Sequence, residues 1–523
     1  MKRVAGRVNA ITIIRNRVLS SAIAAGFLLV LPSCAIPPLQ QGTPGAPLPV
    51  SFQGVTTSEN AGQLGWREFF NDPVLSGLID QALVGNQELK MLTQEIQIAR
   101  NEVLARRGSY LPFVTLGAGA GVEKSSVFTP QGTVEELLEP EPGVSFSDPL
   151  PDFLVAANLS WEVDIWRKLR NAKDAAALRY LASQEGQNYV VTRLVAEVAE
   201  SYYELMALDN QLATLDQTID LQKQSLEIAK AKKAAARGTE LAVQRFEAII
   251  RKNQSEKQII QQDIIETENR INFLLGRYPQ PVERLSIAFL DLELPSAAVG
   301  VPSALLQNRA DIRQAERELE AAGLSVKVAR ANFYPSLDIF AGVGFNAFNA
   351  EYLFMTPESL VYNVAGELAA PLINRAAIKA EYLSANAEQL QSLYNYQRTI
   401  LNAFTEVINR MAKVDNYSKA IKLKKQQLAS LEAAVETADT LFQNARVEYV
   451  DVLLAQRDLM EAKMVLIETK QEQLAAMVNL YQALGGGGMR LNLTCPPLAN
   501  DDFSYVKFVE RCCDWVPGSA LWE

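Results

Sequence analysis

The sequence predicts an α+β membrane protein made by internal duplication, with four β-strands and two long helical hairpins in a chain of 523 residues. Three observations predict it. A helix-to-strand passage occurs twice, as A-R-R-G-S-Y-L-P-F-V-T-L-G-A-G-A-G (Ala105–Gly121) and as V-A-R-A-N-F-Y-P-S-L-D-I-F-A-G-V-G (Val328–Gly344). Pro112 falls on Pro335, Arg107 on Arg330, Gly119 on Gly342 and Gly121 on Gly344, and self-similarity of this kind marks a structural unit made twice. Proline is absent from Asp152 to Tyr278 and again from Leu372 to Thr494, and both stretches are rich in Ala, Leu, Gln, Glu and Lys, which favour helix. Four segments, two of them overlapping the repeated passages, alternate with the period of a strand.

In chain order, the N-terminus comes first. Lys2, Arg3, Arg7, Arg15 and Arg17 precede any acidic residue, and an apolar run follows at Val18–Leu31. That run is too short for a membrane span and reads as a secretory signal over residues 1–33. It ends Leu31-Pro32-Ser33-Cys34, which resembles a bacterial lipobox and makes Cys34 the expected lipidated N-terminus. Ala35 follows, so no Asp stands there to suggest inner-membrane retention. Loss of the five basic residues takes the net charge from −10 to −15. Residues 34–65, rich in Pro, Gly, Ser and Thr up to residue 58, read as an extended tether.

Residues 66–280 form the first repeat. Asp72-Pro73 opens a short helix, with Asp as cap and Pro in the first turn. Gly85-Asn86 breaks it, and a second helix runs to about Arg107. Strands are expected at Pro112–Val122 and Leu154–Ile165, separated by an acidic surface loop, Lys124–Pro151. A pair of very long antiparallel helices follows, turning at Ala235–Thr239. Residues 281–486 repeat the pattern, with strands at Leu337–Asn346 and Tyr362–Leu372 and a helical turn at Gln443–Glu448. About 65 residues of helix rise about 100 Å, so each hairpin needs neighbours from this chain or from copies of it.

The strands carry the candidate site. In the second, Asn158, Ser160, Glu162 and Asp164 oppose Ala157, Leu159, Trp161, Val163 and Ile165. In the fourth, Asn363 and Glu367 oppose Tyr362, Val364 and Leu368. An apolar face backed by a polar one, at about 10 residues per strand, is the pattern of a membrane β-barrel with a wet lumen. The polar set is expected to line the pore, with Trp161 and Tyr362 toward lipid. Four strands cannot close a barrel, and open edges are not tolerated in lipid, so several copies must share one wall.

Composition removes other functions. The chain has no histidine, so it holds no His-based zinc site, Ser-His-Asp triad or Cys-His pair. No catalytic residue, cofactor or metal is expected. The acidic charge without a basic stripe argues against nucleic acid. Cys495, Cys512 and Cys513 lie in a tail, residues 487–523, to which no role is assigned; one bridge from Cys495 to either of the others is possible and leaves an odd thiol.

Four further stretches match a known family: W-R-E-F-F-N-D-P-V-L-S-G-L-I-D-Q-A-L (Trp66–Leu83), S-W-E-V-D-I-W (Ser160–Trp166), F-L-L-G-R-Y-P (Phe273–Pro279) and V-P-S-A-L-L-Q-N-R-A-D-I-R-Q-A-E (Val301–Glu316). With the element order, these resemble the TolC-like outer-membrane factors, in the OprM- and NodT-like lipoprotein branch that serves tripartite drug efflux, over roughly residues 60–486. The resemblance implies a homotrimer. Its 12-stranded barrel in outer-membrane lipid continues into a 12-helix periplasmic tunnel, docked on a periplasmic adaptor and an inner-membrane pump. The channel would be passive. The resemblance also makes Asp451, just past the second helical turn, a candidate for an acidic ring at the constricted periplasmic end, although an Asp in the first turn of a helix is also what the helix dipole favours. Phe442, one turn before that tip, is placed to supply an apolar plug beside it. The chain departs from the family at Ala310, where Pro is usual, at Ala236 and Ala445, where the tips usually carry Gly, and at Ala242, where an Asp is usual. Type I protein secretion uses the same scaffold and is the alternative cargo. A periplasmic adaptor is the alternative class, opposed by the duplicated hairpin and the four strands.

Overall fold

The computed structural model describes residues 36–52, 54, 60–139, 143, 145–285, 289–295, 298–371, 375–444 and 446–487. The first repeat contains α1 (Trp66–Phe70), α2 (Pro73–Gly85), α3 (Gln87–Tyr110), β1 (Phe113–Glu123), α4 (Pro130–Leu137), β2 (Leu150–Val163), α5 (Lys168–Ala234) and α6 (Glu240–Leu274). The second contains α7 (Ala304–Asn308), α8 (Ala310–Ala331), β3 (Ser336–Ala347), β4 (Leu360–Ala369), α9 (Ala376–Gln443) and α10 (Tyr449–Ala483). The duplication is exact in kind: helices of 24 and 22 residues lead into the strands, helices of 67 and 68 leave them, and helices of 35 residues return.

The local causes are those the sequence displays. Asp72 Oδ1 accepts the Val74 and Leu75 N–H groups at 2.8 and 3.0 Å, with Pro73 at the first helical position. Asn86 Oδ1 accepts Leu89 N–H at 3.1 Å and so opens α3. The α5–α6 turn has Ala236 at φ +52°, a left-handed conformation that favours glycine.

One expectation needs correcting. The hairpins are not pairs of helices that are both very long: α6 and α10, of 35 residues, are about half the length of α5 and α9. Each long helix is faced instead by two shorter ones laid end to end, α3 and α6 along α5, and α8 and α10 along α9. The joints explain two of the sequence signatures. At the first, Asn86 Nδ2 donates to Leu274 O at 2.9 Å. A Cβ on Gly85 would lie 2.1 Å from Leu275 O, so only glycine permits this approach. Gly276, in the F-L-L-G-R-Y-P stretch, turns the chain at φ +70°. At the second, the Arg309 guanidinium donates to Ala483 O at 2.9 Å, to Glu406 at 2.9 Å and to Asp311 at 2.7 Å. Arg309 is the buried centre of the V-P-S-A-L-L-Q-N-R-A-D-I-R-Q-A-E stretch.

Around the first joint, Phe69, Leu75, Leu78 and Ile79 pack on Tyr202, Leu205 and Tyr481, and the Phe69 and Tyr481 rings stack at 4.1 Å. The described part of the tether is extended but not loose. Ile36 and Leu39 pack against the cluster of Val326, Ala329, Tyr382 and Ala385, Gln40 and Asn386 exchange two hydrogen bonds, and Phe52 stacks on Phe404 at 5.4 Å. The segment thus runs down α9 from the strand end toward the middle of the helices.

Helix order fixes the edges. Near the strands the row is α3–α5–α8–α9, and farther along it is α6–α5–α10–α9. The inner helices α5 and α8 expose no large apolar side chain and α10 exposes Leu454 and Val465, while Met91, Ile98, Ile259, Phe273, Leu401 and Leu423 on the outer helices α3, α6 and α9 are exposed.

Candidate channel wall and gate

The four strands form one antiparallel sheet in the order β1-β2-β3-β4. Directly opposed residues of an antiparallel sheet point to the same side. Asn158 opposes Thr115 and Gly342, and Gly342 opposes Asn363; Ser160 opposes Phe113 and Phe340; Glu162 opposes Asp338, which opposes Glu367. Asn158, Ser160, Glu162, Asn363 and Glu367 therefore share one face. Every other Asp, Glu, Asn, Ser or Thr of the strands lies there too, namely Thr115, Glu123, Asp152, Ser336, Asp338 and Asn346. A Cβ on Gly342 would stand 2.4 Å from Asn363 Oδ1 and 3.0 Å from Asn158 Oδ1, so the two amides close over this glycine.

The opposite face has no such side chain. Val114, Leu116, Val155, Leu159, Val343 and Val364 cover it, with Trp161 near the helical end and Tyr362 near the far end. Trp161 Nε1 donates to Tyr110 O at 3.2 Å, and the Tyr362 side chain is 79% exposed. From Phe153 to Trp161 the strand rises about 26 Å at 3.3 Å per residue, comparable to the apolar band of a membrane barrel with aromatic girdles at both rims. No Lys or Arg occurs in any strand, while the polar face carries five carboxylates, at Glu123, Asp152, Glu162, Asp338 and Glu367.

Asp164 departs from its expected place. The strand ends at Val163, and Asp164 is buried in the elbow between β2 and α5. Its carboxylate accepts the Leu169 and Arg170 N–H groups, each at 3.0 Å, and pairs with the Arg170 side chain at 3.0 Å. Burial raises the carboxyl pKa, but these donors and the guanidinium charge outweigh it and hold it below the usual value. Asp164 is thus a cap for a 67-residue helix rather than a pore-lining residue. The rest of S-W-E-V-D-I-W completes the elbow: Glu162 pairs with Lys168, while Trp166 donates to Pro335 O at 2.7 Å and stacks on Tyr334 at 4.8 Å. The repeated proline and the Trp motif meet here.

At the far end of the helices, Asp451 stands exposed in the first turn of α10, in a capping box with Glu448, whose N–H donates to Asp451 Oδ2 at 3.2 Å. Phe442 is not free to act as a plug. It is only 6% exposed, and Lys232 from the end of α5 lies 3.5 Å from its ring centre and donates to its carbonyl. Ala242 is buried and its N–H caps on Thr239 Oγ1 at 3.3 Å, so an Asp side chain there would be desolvated. Lys232 carries no motif, and only the packing of one hairpin on the other brings it to Phe442. Asp338 was within reach of the sequence, since the alternation that selects Glu367 selects it as well. Cys34, Ala445, Leu372, Glu141 and the tail cysteines lie outside the described residues. Among the described residues, no group of three His, Cys, Asp or Glu side chains is placed to hold a metal ion.

A two-faced four-stranded sheet with open edges, continuous with end-to-end helices of about 100 Å, defines a channel-type outer-membrane protein. The chain belongs to the outer membrane efflux protein family, whose sequence profile matches residues 78–277 and 301–486. It is similar to the cation efflux system protein CusC of Escherichia coli O6:H1 (strain CFT073), 28% identical over 464 residues that cover 88% of this chain and 97% of CusC. It is also similar to the probable outer membrane lipoprotein SilC of Salmonella typhimurium, 27% identical over 470 residues, 89% of this chain and 98% of SilC. A crystal structure of CusC superposes with a TM-score of 0.74 at 27% identity, covering 86% of this chain and 99% of that one. The protein is an outer-membrane channel of the efflux class, and it is not an enzyme.

Proposed function

We propose that three copies of this chain close a 12-stranded barrel and a 12-helix tunnel, forming the passive exit duct of a tripartite efflux assembly. A periplasmic adaptor and an inner-membrane pump complete the assembly. The observation that carries the reading is the two-faced sheet whose outer strands, β1 and β4, have no second partner among the described residues. Unpaired edges cost several kcal/mol per backbone group in hydrocarbon. Because β1 and β4 run in opposite directions, β1 of one copy pairs antiparallel with β4 of the next, and the ring closes without a mismatch. The exposed apolar residues on α3, α6 and α9 are covered by the same closure.

Cys34 is the lipidated N-terminus in this reading. Support comes from Ile36, which packs on the cluster of Val326, Ala329, Tyr382 and Ala385 at the strand end of the helices and so starts the tether at the level of the membrane rim. The pore is lined by Asn158, Ser160, Glu162, Asn363 and Glu367. Lys168 at the head of α5 pairs with Glu162. The other four carboxylates of each copy, twelve in a barrel of three copies, leave a lumen that favours small neutral or cationic cargo over anions. Asp451, three times repeated about the axis, adds a ring of charge at the periplasmic end. The test is the reversal potential of purified protein in a planar bilayer under a salt gradient. Cation selectivity is expected; anion selectivity would overturn the reading.

A further inference from the structure

The channel reading leaves one set of apolar residues unused, at the end of the sheet remote from the helices. The segment after β1 carries Phe128, which is 99% exposed, and α4, whose Val134 and Leu137 lie on one face at i and i+3 and are exposed, as is Leu138 just past the end of the helix. The segment before β4 carries Phe354 and Met355, also exposed. Between these flanks, the middle of the sheet end is already covered from within the chain, by Phe146 against Phe348 at 5.2 Å and Phe348 against Tyr352 at 5.6 Å. Phe128 and α4 follow β1, and Phe354 and Met355 precede β4, the two strands left with an unpaired edge among the described residues. Phe354 also meets the Phe345 ring of β3 edge-on at 5.5 Å, so its exposed part is what remains to be covered.

We propose that these flanks form a clasp between copies. Phe128 and the Val134–Leu137 face of α4 in one copy cover Phe354 and Met355 of the next, once at each of the three seams around the outer mouth. This rests on the closure proposed above. In that closure the end of β1 at Glu123 and the start of the neighbour's β4 at Leu360 lie at the same rim of adjacent strands, which run about 4.8 Å apart. The loops leaving these two ends must then meet. The occupant is a second copy because the exposed residues continue the open strand edges. Charge does not hold the contact: Glu135 and Glu136 flank one side, Glu351 and Glu358 the other. The attraction is apolar and opposed by like charge, so salt should strengthen it.

The test uses the full-length chain in outer membranes, with Cys495, Cys512 and Cys513 replaced by Ser. Phe128→Cys and Met355→Cys are introduced singly and together, then treated with oxidant or a short bismaleimide. Native mass spectrometry establishes the number of copies independently. Cross-linked dimers and trimers from the double variant alone support the clasp. A trimer that does not cross-link overturns the clasp and leaves the channel reading standing; loss of the trimer in the parent overturns both. A bimane label on Phe128→Cys that is quenched by brominated lipid, with no cross-link, places this face in the membrane and also overturns the clasp. In a second variant, Leu137→Asp should lower the temperature at which the SDS-resistant trimer dissociates, and added salt should restore it only in part, because screening relieves the like charge but not the lost apolar contact.

Discussion

Asp164 and Arg309 do their work where a helix must start or be joined, and both are open to test. Replacing a cap costs about 1 kcal/mol, so Asp164→Ala should lower the thermal midpoint of the helical signal by circular dichroism. The sign of the pH effect follows from the depressed carboxyl pKa. The contribution is present above the unfolded value, about 3.9, and is lost as pH falls through the lower folded value. The gap between wild type and Asp164→Ala should therefore close on acidification below about pH 4, whereas a gap that widens would contradict the capping role. Arg309→Leu leaves Asp311 and Glu406 without their cation. Breaking a buried pair in this way costs about 3–5 kcal/mol, with the lower end expected because Glu406 retains some solvent contact. Ala236→Gly should act in the other direction, relieving up to about 1 kcal/mol at φ +52°, read as a small rise in the same midpoint.

At the scale of elements, the wall is defined by which face each strand presents. Leu159 is flanked by Val114 and Ala341, and Ser160 by Phe113 and Phe340 on the other side. Arg on the lipid face costs about 2–4 kcal/mol at mid-membrane and less toward the rim. Leu159→Arg should therefore reduce assembled protein in outer-membrane fractions, and Ser160→Arg should not; equal loss from both would contradict the facing. Most of this was legible in the sequence. Period-two alternation found all four strands, and missing prolines with weak breakers at Ala235–Thr239 and Gln443–Glu448 found both helical turns to within a residue. What escaped depends on contacts between distant segments. Asp164 keeps the alternation of β2, so nothing local shows that the strand has ended and its carboxylate turned to α5. The halving of α6 and α10 is set by the joints at Asn86 and Arg309, whose partners Leu274 and Ala483 lie 188 and 174 residues away in sequence. Phe442 reads as a free apolar residue until Lys232, 210 residues earlier, is found against it.

For the whole molecule, the open edges of the sheet and of both helical tiers make the single chain an incomplete object. Asp451 tests the narrow end of the assembled one. In planar bilayers Asp451→Ala should raise conductance and weaken cation selectivity, whereas unchanged values would leave it as the partner of Glu448 in a helix cap and no more. The closure itself is the central claim, and the mass of the detergent-solubilised protein by native mass spectrometry tests it most directly. Three mature chains per particle are predicted. A stable monomer would contradict the account, since four strands cannot close on themselves, and so would a particle of two or four chains.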